Sequence, residues 1–285
     1  MSTLIVGAGY LGRRVSRILR ARGEHIWGTT RSADRSDSLR KWGAEPLVLD
    51  VLDPEVSAIP LDVDRILFCV GYDRGSGADV ASVHVAGLRG VLNALGGRTC
   101  RVVYTSSTSV FGKGDGGWVT EDSPTEPLTD SGRACLDAEQ LLRTWSDERI
   151  DGCVVRYSGL YGPGRVVGRQ ALERGDPIAG EPDRYLNWLH IDDAAAAAVA
   201  VLDHGVRGEV YLASDDQPLL RRDYYERLAR FLGTSPPKFN PADTSARSYE
   251  GHRRVQNRRI KQELGLVLRY PSVDSGLPAA LASEE

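Results

Sequence analysis

The segment L-I-V-G-A-G-Y-L-G (residues 4–12) places Gly7, Gly9 and Gly12 in G-x-G-x-x-G spacing. It follows a short apolar run and opens a stretch, Tyr10–Arg22, whose apolar positions Leu11, Val15, Ile18 and Leu19 keep helical spacing. In that context the glycines describe a phosphate cradle. The first permits a tight turn, the second lets a pyrophosphate approach the backbone, and the third lets helix and strand pack closely. The helix N-terminus, at Tyr10 and Leu11, offers free N–H groups to the phosphates. A glycine-rich turn without a ligand is the competing reading.

The next run ends Gly28-Thr29-Thr30-Arg31-Ser32, with Arg35 close behind. A chain selecting NAD would place Asp or Glu near Thr29 or Thr30 to accept the ribose hydroxyls. Hydroxyls and the Arg31 cation suit a 2′-phosphate instead, so NADP(H) is expected ahead of NAD(H). Asp50 stands where a carboxylate would accept from the adenine amino group, or would cap the following turn. Val70 and Gly71 at the end of the fourth strand, and Ser106 at the end of the fifth, complete the expected cofactor contacts.

A second cluster, V-Y-T-S-S-T-S (residues 103–109), ends a strand in hydroxyls, and S-G-R-A-C (131–135) lies near the start of a later helix. The elements that must position these groups follow from the hydrophobic pattern. Strands are expected at Thr3–Val6, His25–Thr29, Pro46–Leu49, Arg65–Val70, Arg101–Ser106, Gly152–Tyr157 and Glu209–Ala213. Helices are expected at Tyr10–Arg22, Ser82–Leu95, Arg133–Trp145, Asp193–His204, Arg222–Leu232 and Arg258–Leu264. Such alternation implies right-handed crossovers and a parallel sheet covered on both faces. Uniformly apolar strands agree with burial on both faces. After residue 160 Gly and Pro punctuate the chain and strands become scarce. The expected division is a nucleotide-binding domain over 1–164 that returns at about 186–217, with a small lobe formed by 165–185 and 218–285.

Composition narrows the partners. A net charge of −3 over 285 residues, with 26% charged side chains, argues against a nucleic-acid surface. The most apolar stretch, Ala194–Leu202, is about half of what a bilayer requires. Cys69, Cys100, Cys135 and Cys153 form no C-x-x-C and pair with no histidine, so no zinc site, other metal site or disulfide framework is indicated. The chain opens directly on a strand, so a reducing, cytoplasmic setting is expected. A small-molecule substrate is the expected partner, with neither nucleic acid nor membrane.

Four segments carry a resemblance to a known family. V-V-Y-T-S-S-T-S-V-F-G (102–112), V-V-R-Y-S-G-L-Y-G-P-G-R (154–165), N-W-L-H-I-D-D-A-A (187–195) and R-R-I-K-Q-E-L-G-L through Tyr270-Pro271 (258–271) resemble, in order, elements of the extended short-chain dehydrogenases/reductases. These are the NAD(P)-dependent epimerase/dehydratase superfamily. The resemblance implies an α/β, Rossmann-type doubly wound sheet with a small C-terminal substrate lobe, and a homodimer as the habitual assembly. It also implies that Ser107 hydrogen-bonds the substrate oxygen. The family's Tyr-x-x-x-Lys pair, which moves the proton, falls on Ser131 and Cys135 here. In this the chain resembles an atypical subgroup in which S-G-R replaces the tyrosine motif.

An unassisted serine hydroxyl is no acid or base near neutral pH, and Cys135 cannot supply a lysine's charge. For these residues capping and packing are expected, with Asp130 or Ser131 as N-cap. Family geometry places Tyr161, Tyr72 and Asp73 near the nicotinamide, and Tyr161 is taken with Ser107 as the catalytic candidates. His190 is expected to stitch lobe to sheet, and Tyr104 to be buried. Arg165, Arg169, Tyr185, Asn187 and Arg253–Arg254 are candidates to line the substrate pocket. The expected function is an NADP-linked oxidoreductase or epimerase/dehydratase-like enzyme with a non-standard proton donor. A dinucleotide sensor without turnover and a redox-neutral lyase or cyclase are the alternatives.

Overall fold

The computed structural model describes residues 1–53, 59–72, 75, 77–112, 114–147, 149–243 and 251–282. Seven strands form its central sheet: β1 (Ser2–Val6), β2 (His25–Thr30), β3 (Glu45–Val48), β4 (Arg65–Phe68), β5 (Cys100–Ser107), β6 (Ile150–Tyr157) and β7 (Val210–Ala213). Their spatial order is β7-β6-β5-β4-β1-β2-β3, and every pairing is parallel. Leu4, Ile5 and Val6 of the central β1 are fully buried, each stabilising the fold by about 1.5–3 kcal/mol. β3, which carries Pro46, lies at the edge, where a missing N–H costs no ladder bond.

The helices between the strands are α1 (Gly12–Ala21), α2 (Ser36–Trp42), α3 (Gly87–Ala94), α4 (Asp130–Trp145), α5 (Arg169–Arg174) and α6 (Ile191–His204). After β7 come α7 (Arg221–Leu232), α8 (Arg258–Leu264) and α9 (Val273–Ala282). Val15 and Leu19 of α1 pack with the alanine-rich side of α6 on one face of the sheet. Leu88, Val91 and Leu92 of α3 pack with Ala138, Leu141 and Leu142 of α4 on the other. A parallel sheet needs both layers, because its crossovers and apolar strands leave neither face to water.

The lobe has its own core of Leu172, Trp188, Tyr224, Tyr225, Leu228, Val273 and Leu277. Two departures from the sequence reading concern its borders. Ile260 and Leu264 of α8, with Leu266, pack into the sheet-side core, because their i, i+4 spacing makes one apolar face that α6 and β7 receive. The lobe in turn takes in Trp188, from within the span assigned to the sheet domain. Its strands are also more numerous than expected but only two or three residues long, such as Tyr185–Leu186 against Leu219–Leu220. Among the described residues no helix is long and apolar enough to cross a membrane.

Candidate functional site

The crevice of an open α/β sheet opens where neighbouring strands send their connections to opposite faces, here between β1 and β4. Gly7 leaves β1 with φ +91°, and a Cβ there would lie 2.7 Å from the Cα of Val70. Its N–H donates to Thr29 Oγ1 at 2.9 Å, and its carbonyl accepts from Cys69 Sγ at 3.2 Å. At Gly12 a Cβ would sit 2.8 Å from Ile5 Cγ2, so the third glycine sets how closely α1 lies on the sheet. Gly9 is different: a Cβ there meets nothing within 4 Å and would project into a cleft.

That cleft has a volume of about 930 Å³ and runs from the glycine turn across the ends of β4 and β5 to the lobe. Gly7, Gly9, Tyr10, Leu11, Arg31, Asp50, Val70, Gly71, Ser106 and Ser107 all line it. Gly12 does not; it is buried behind the wall against β1. Arg35, which follows β2 four residues after Arg31, also lines the cleft. Asp50 accepts the Leu52 N–H at 3.0 Å, so it holds the following turn while also bordering the cleft. The Tyr10 hydroxyl donates to the Pro163 carbonyl at 3.0 Å, latching the glycine turn to the G-P-G segment. Arg14 lies over the same ring at 4.5 Å.

At the end of β5, Ser107 Oγ accepts the Ser109 N–H at 3.1 Å and so caps the one-turn helix Thr108–Val110. Its neighbour Ser106 donates to the Glu139 carboxylate. Glu139 also receives Arg156 through Nε at 2.9 Å and Nη2 at 2.7 Å, and both side chains are buried. This forked pair fastens α4 to β5 and β6, and losing one partner would strand a buried charge. Tyr104 is buried as expected, its hydroxyl 2.8 Å from His84 Nδ1.

The S-G-R-A-C turn does not point at this cleft. Thr129, and neither Asp130 nor Ser131, is the N-cap of α4: its hydroxyl accepts the Gly132 N–H at 3.0 Å. Thr129 has the extended backbone a cap requires, whereas Asp130 and Ser131 already lie within the helix. Ser131 is exposed outside the cleft, and Arg133 pairs with Asp130 on the same outer face. Cys135 is buried beside Val110, Phe111 and Val255, and burial pushes its thiol pKa up. The residue that matters in the pentamer is Gly132, where a Cβ would overlap the carbonyl oxygen of Ser109. Sequence reasoning passed over it, although a glycine in the first turn of a helix was the available signal.

Tyr161 is corrected. Its ring is wholly buried in the lobe core, its hydroxyl faces the Ser272 carbonyl at 3.5 Å, and α9 closes on it through Gly276. Burial pushes its pKa well up, and it takes no part in the cleft wall. The strand pairing of Gly159–Tyr161 with Trp188–His190 carries Leu160 to the cleft and turns Tyr161 into the lobe. Tyr72 is half-exposed outside the cleft wall, and Asp73 lies outside the described residues. His190 caps α6 by accepting the Asp192 N–H at 3.3 Å and packs against Tyr161 and Tyr270. Of the lobe candidates, Arg165, Tyr185, Asn187 and Arg253 line the cleft. Arg169 pairs with Glu173, and Arg254 stacks between Trp118 and Tyr185.

A glycine turn with an open Cβ position, a helix N-terminus and a cleft continuing to a serine-tipped strand fit a dinucleotide. Residues 3–213 match the family described as NAD dependent epimerase/dehydratase. The chain belongs to that family. It is 30% identical over 273 residues to the protein YeeZ of Escherichia coli K12, covering 94% of this chain and 95% of that protein. It is 28% identical to a Streptomyces protein named 3-diazoavenalumate denitrifying reductase, covering 97% and 99% of the two chains. Among solved structures it resembles the UDP-glucuronic acid 4-epimerase of Bacillus cereus in complex with NAD. There the TM-score is 0.81 and identity is 20%, with 99% of this chain and 98% of that one covered, a likeness of fold. As a family member the chain has a nucleotide site in its Rossmann-type sheet. Its glycine turn, Asp50, Val70 and Gly71 are the residues that would hold the nucleotide.

Proposed function

We propose that the protein is an NADP-linked oxidoreductase of the epimerase/dehydratase type, acting on a carbonyl, alcohol or sugar-like compound held between the sheet ends and the lobe. One observation carries this reading: a single cleft joins Gly9, the Arg31–Arg35 pair and Ser107. When bound, the nicotinamide supplies or accepts the hydride. The chain's own residues do the rest. The glycine turn and the α1 N-terminus hold the pyrophosphate, and Arg31 and Arg35 take the 2′-phosphate in place of the acidic residue that NAD-selective sites use. The Ser107 hydroxyl still has a hydrogen to donate while its lone pair caps the Ser109 N–H, so it can orient a substrate oxygen.

The proton has an unusual source in this reading. Of the three cleft-lining phenols, Tyr10 donates to Pro163, Tyr157 donates to the Ala194 carbonyl, and Tyr185 stacks on His252. The first two are committed away from Ser107, which leaves Tyr185 or a water as the donor. Relatives named reductases support reduction as the direction. Titration with NADPH and NADH, followed by turnover with carbonyl, alcohol and sugar-nucleotide panels, tests the reading. Tighter NADPH binding with turnover is expected; tighter NADH binding overturns the cofactor choice. Binding without any turnover favours the second reading, a dinucleotide sensor, which the absence of a cleft-facing acid on α4 supports.

A further inference from the structure

The charge lining the cleft is lopsided. Among the described residues its walls carry Arg31, Arg35, Arg165 and Arg253 against the single acid Asp50. Arg31, Arg35 and Asp50 belong to the β2–β3 end. Arg165 lies over the Tyr10 ring at 5.8 Å, beside the glycine turn. The cation next to Ser107 is therefore Arg253.

Arg253 is held with unusual care. Its Nη2 donates to the Thr108 carbonyl at 2.8 Å and its Nη1 to the Gly112 carbonyl. Asn187 brackets its backbone, donating to the Arg253 carbonyl at 2.9 Å and accepting the Val255 N–H at 2.7 Å. On either side, His252 stacks on Tyr185 with ring centroids 5.6 Å apart, and Arg254 lies 5.0 Å from the same ring. The segment thus sends its outer two side chains to Tyr185 and the middle one to the cleft. Both acceptors of the Arg253 guanidinium are neutral carbonyls, and among the described residues no carboxylate pairs with it. A half-buried cation with two neutral partners keeps donors and charge for an anion, which would bind by charge-assisted hydrogen bonds. Thr108 follows Ser107 in the chain, so that anion would sit close to the oxygen Ser107 orients.

We propose that Arg253 is the substrate-anion receptor of this cleft, and that the substrate carries a carboxylate or a phosphate monoester close to its reacting carbonyl or carbinol carbon. The position of the anion relative to the reaction rests on the function proposed above; the anion site itself does not. Cleft size agrees with a small substrate: single-ligand pockets run to about 1,000 Å³, and this cleft must hold a dinucleotide as well.

The test is calorimetric titration of the full chain, with and without NADPH. The probes are phenylglyoxylate, 2-oxobutyrate, the methyl ester of each, and hydroxyacetone phosphate. The acids or the phosphate are expected to bind at least about tenfold more tightly than the neutral esters, and Arg253→Gln to remove that preference. The better of the acid and phosphate arms identifies the anion. Arg253→Lys, which keeps the charge without the fork, is expected to retain part of the preference and serves if Arg253→Gln fails to fold. Equal binding of acids and esters, no binding of any anionic probe, or an unchanged preference in Arg253→Gln overturns the proposal. Failure of NADPH to bind, with Arg253-dependent anion binding intact, overturns the proposed function and leaves the anion site standing.

Discussion

Gly132 of α4 faces the carbonyl of Ser109 so closely that no Cβ fits between them. Helix and hydroxyl-bearing turn meet backbone to backbone one residue after Ser131, the position on which the family's tyrosine falls. The same contact fixes the turn that Ser107 caps.

Gly132→Ala should therefore be destabilising even though alanine is the better helix former. Overpacking against a carbonyl costs about 1–3 kcal/mol, and the helix-propensity gain returns about 1 kcal/mol at most. A lowered urea midpoint with unchanged m-value is the expected result. Writing the family pair back as Ser131→Tyr with Cys135→Lys should not create activity, because position 131 faces solvent and position 135 is buried among Val110, Phe111 and Val255. The lysine should cost several kcal/mol, since its ammonium would be buried beside a carboxylate, Glu139, that Arg156 and Ser106 already occupy. A double variant that is stable and faster than the natural protein would contradict this placement.

Much of this was legible beforehand. The seven strands, the glycine turn and the serine-tipped β5 follow from apolar runs and G-x-G-x-x-G spacing, which report burial on both faces of a sheet. α9 was not legible, because Gly276 and Pro278 interrupt its apolar period. Tyr161 was misplaced for a related reason. Residues in a three-residue strand alternate between two sides, and sequence alone does not say which side is the cleft. The Arg253 bracket was invisible because its partners, Asn187, Thr108 and Gly112, lie 66 or more residues away.

Gly9→Val should fold as the natural protein does, since the space beyond its Cα is open cleft. It should bind NADPH at least about tenfold more weakly, the side chain occupying room meant for phosphate. Fluorescence titration beside a melting curve without cofactor separates the two effects. Unchanged NADPH affinity would contradict the cradle.

Ser107→Ala should lower kcat/KM by about 10²-fold or more if its hydroxyl orients the reacting oxygen. Loss of the cap on the Ser109 N–H should cost about 1 kcal/mol. Ser107→Thr keeps the hydroxyl and should restore both in part. A variant whose rate tracks only its small loss of stability would leave Ser107 as a cap alone.

His190 predicts a pH dependence of stability. Its ring is buried, and burial lowers its pKa from 6.5 to about 4. The Asp192 carboxylate, 3.7 Å away, favours the charged form, while Arg14 and Arg269 oppose it. Nδ1 accepts the Asp192 N–H, so a proton placed there would also break the α6 cap. Between pH 6.5 and about 4 the unfolded chain binds more protons than the folded one, so stability falls as pH falls through that window. The shift sets an upper bound of roughly 3 kcal/mol. Buried Asp193 and Asp215 have raised pKa values, which favour the folded state at low pH and act in the opposite direction. His190→Asn keeps a capping oxygen and both carboxylates, so the difference between the two chains isolates the imidazole. Urea unfolding from pH 7.5 to 4.5 should give a shallower slope for the variant below pH 6.5; parallel slopes would show that His190 is not the titrating group.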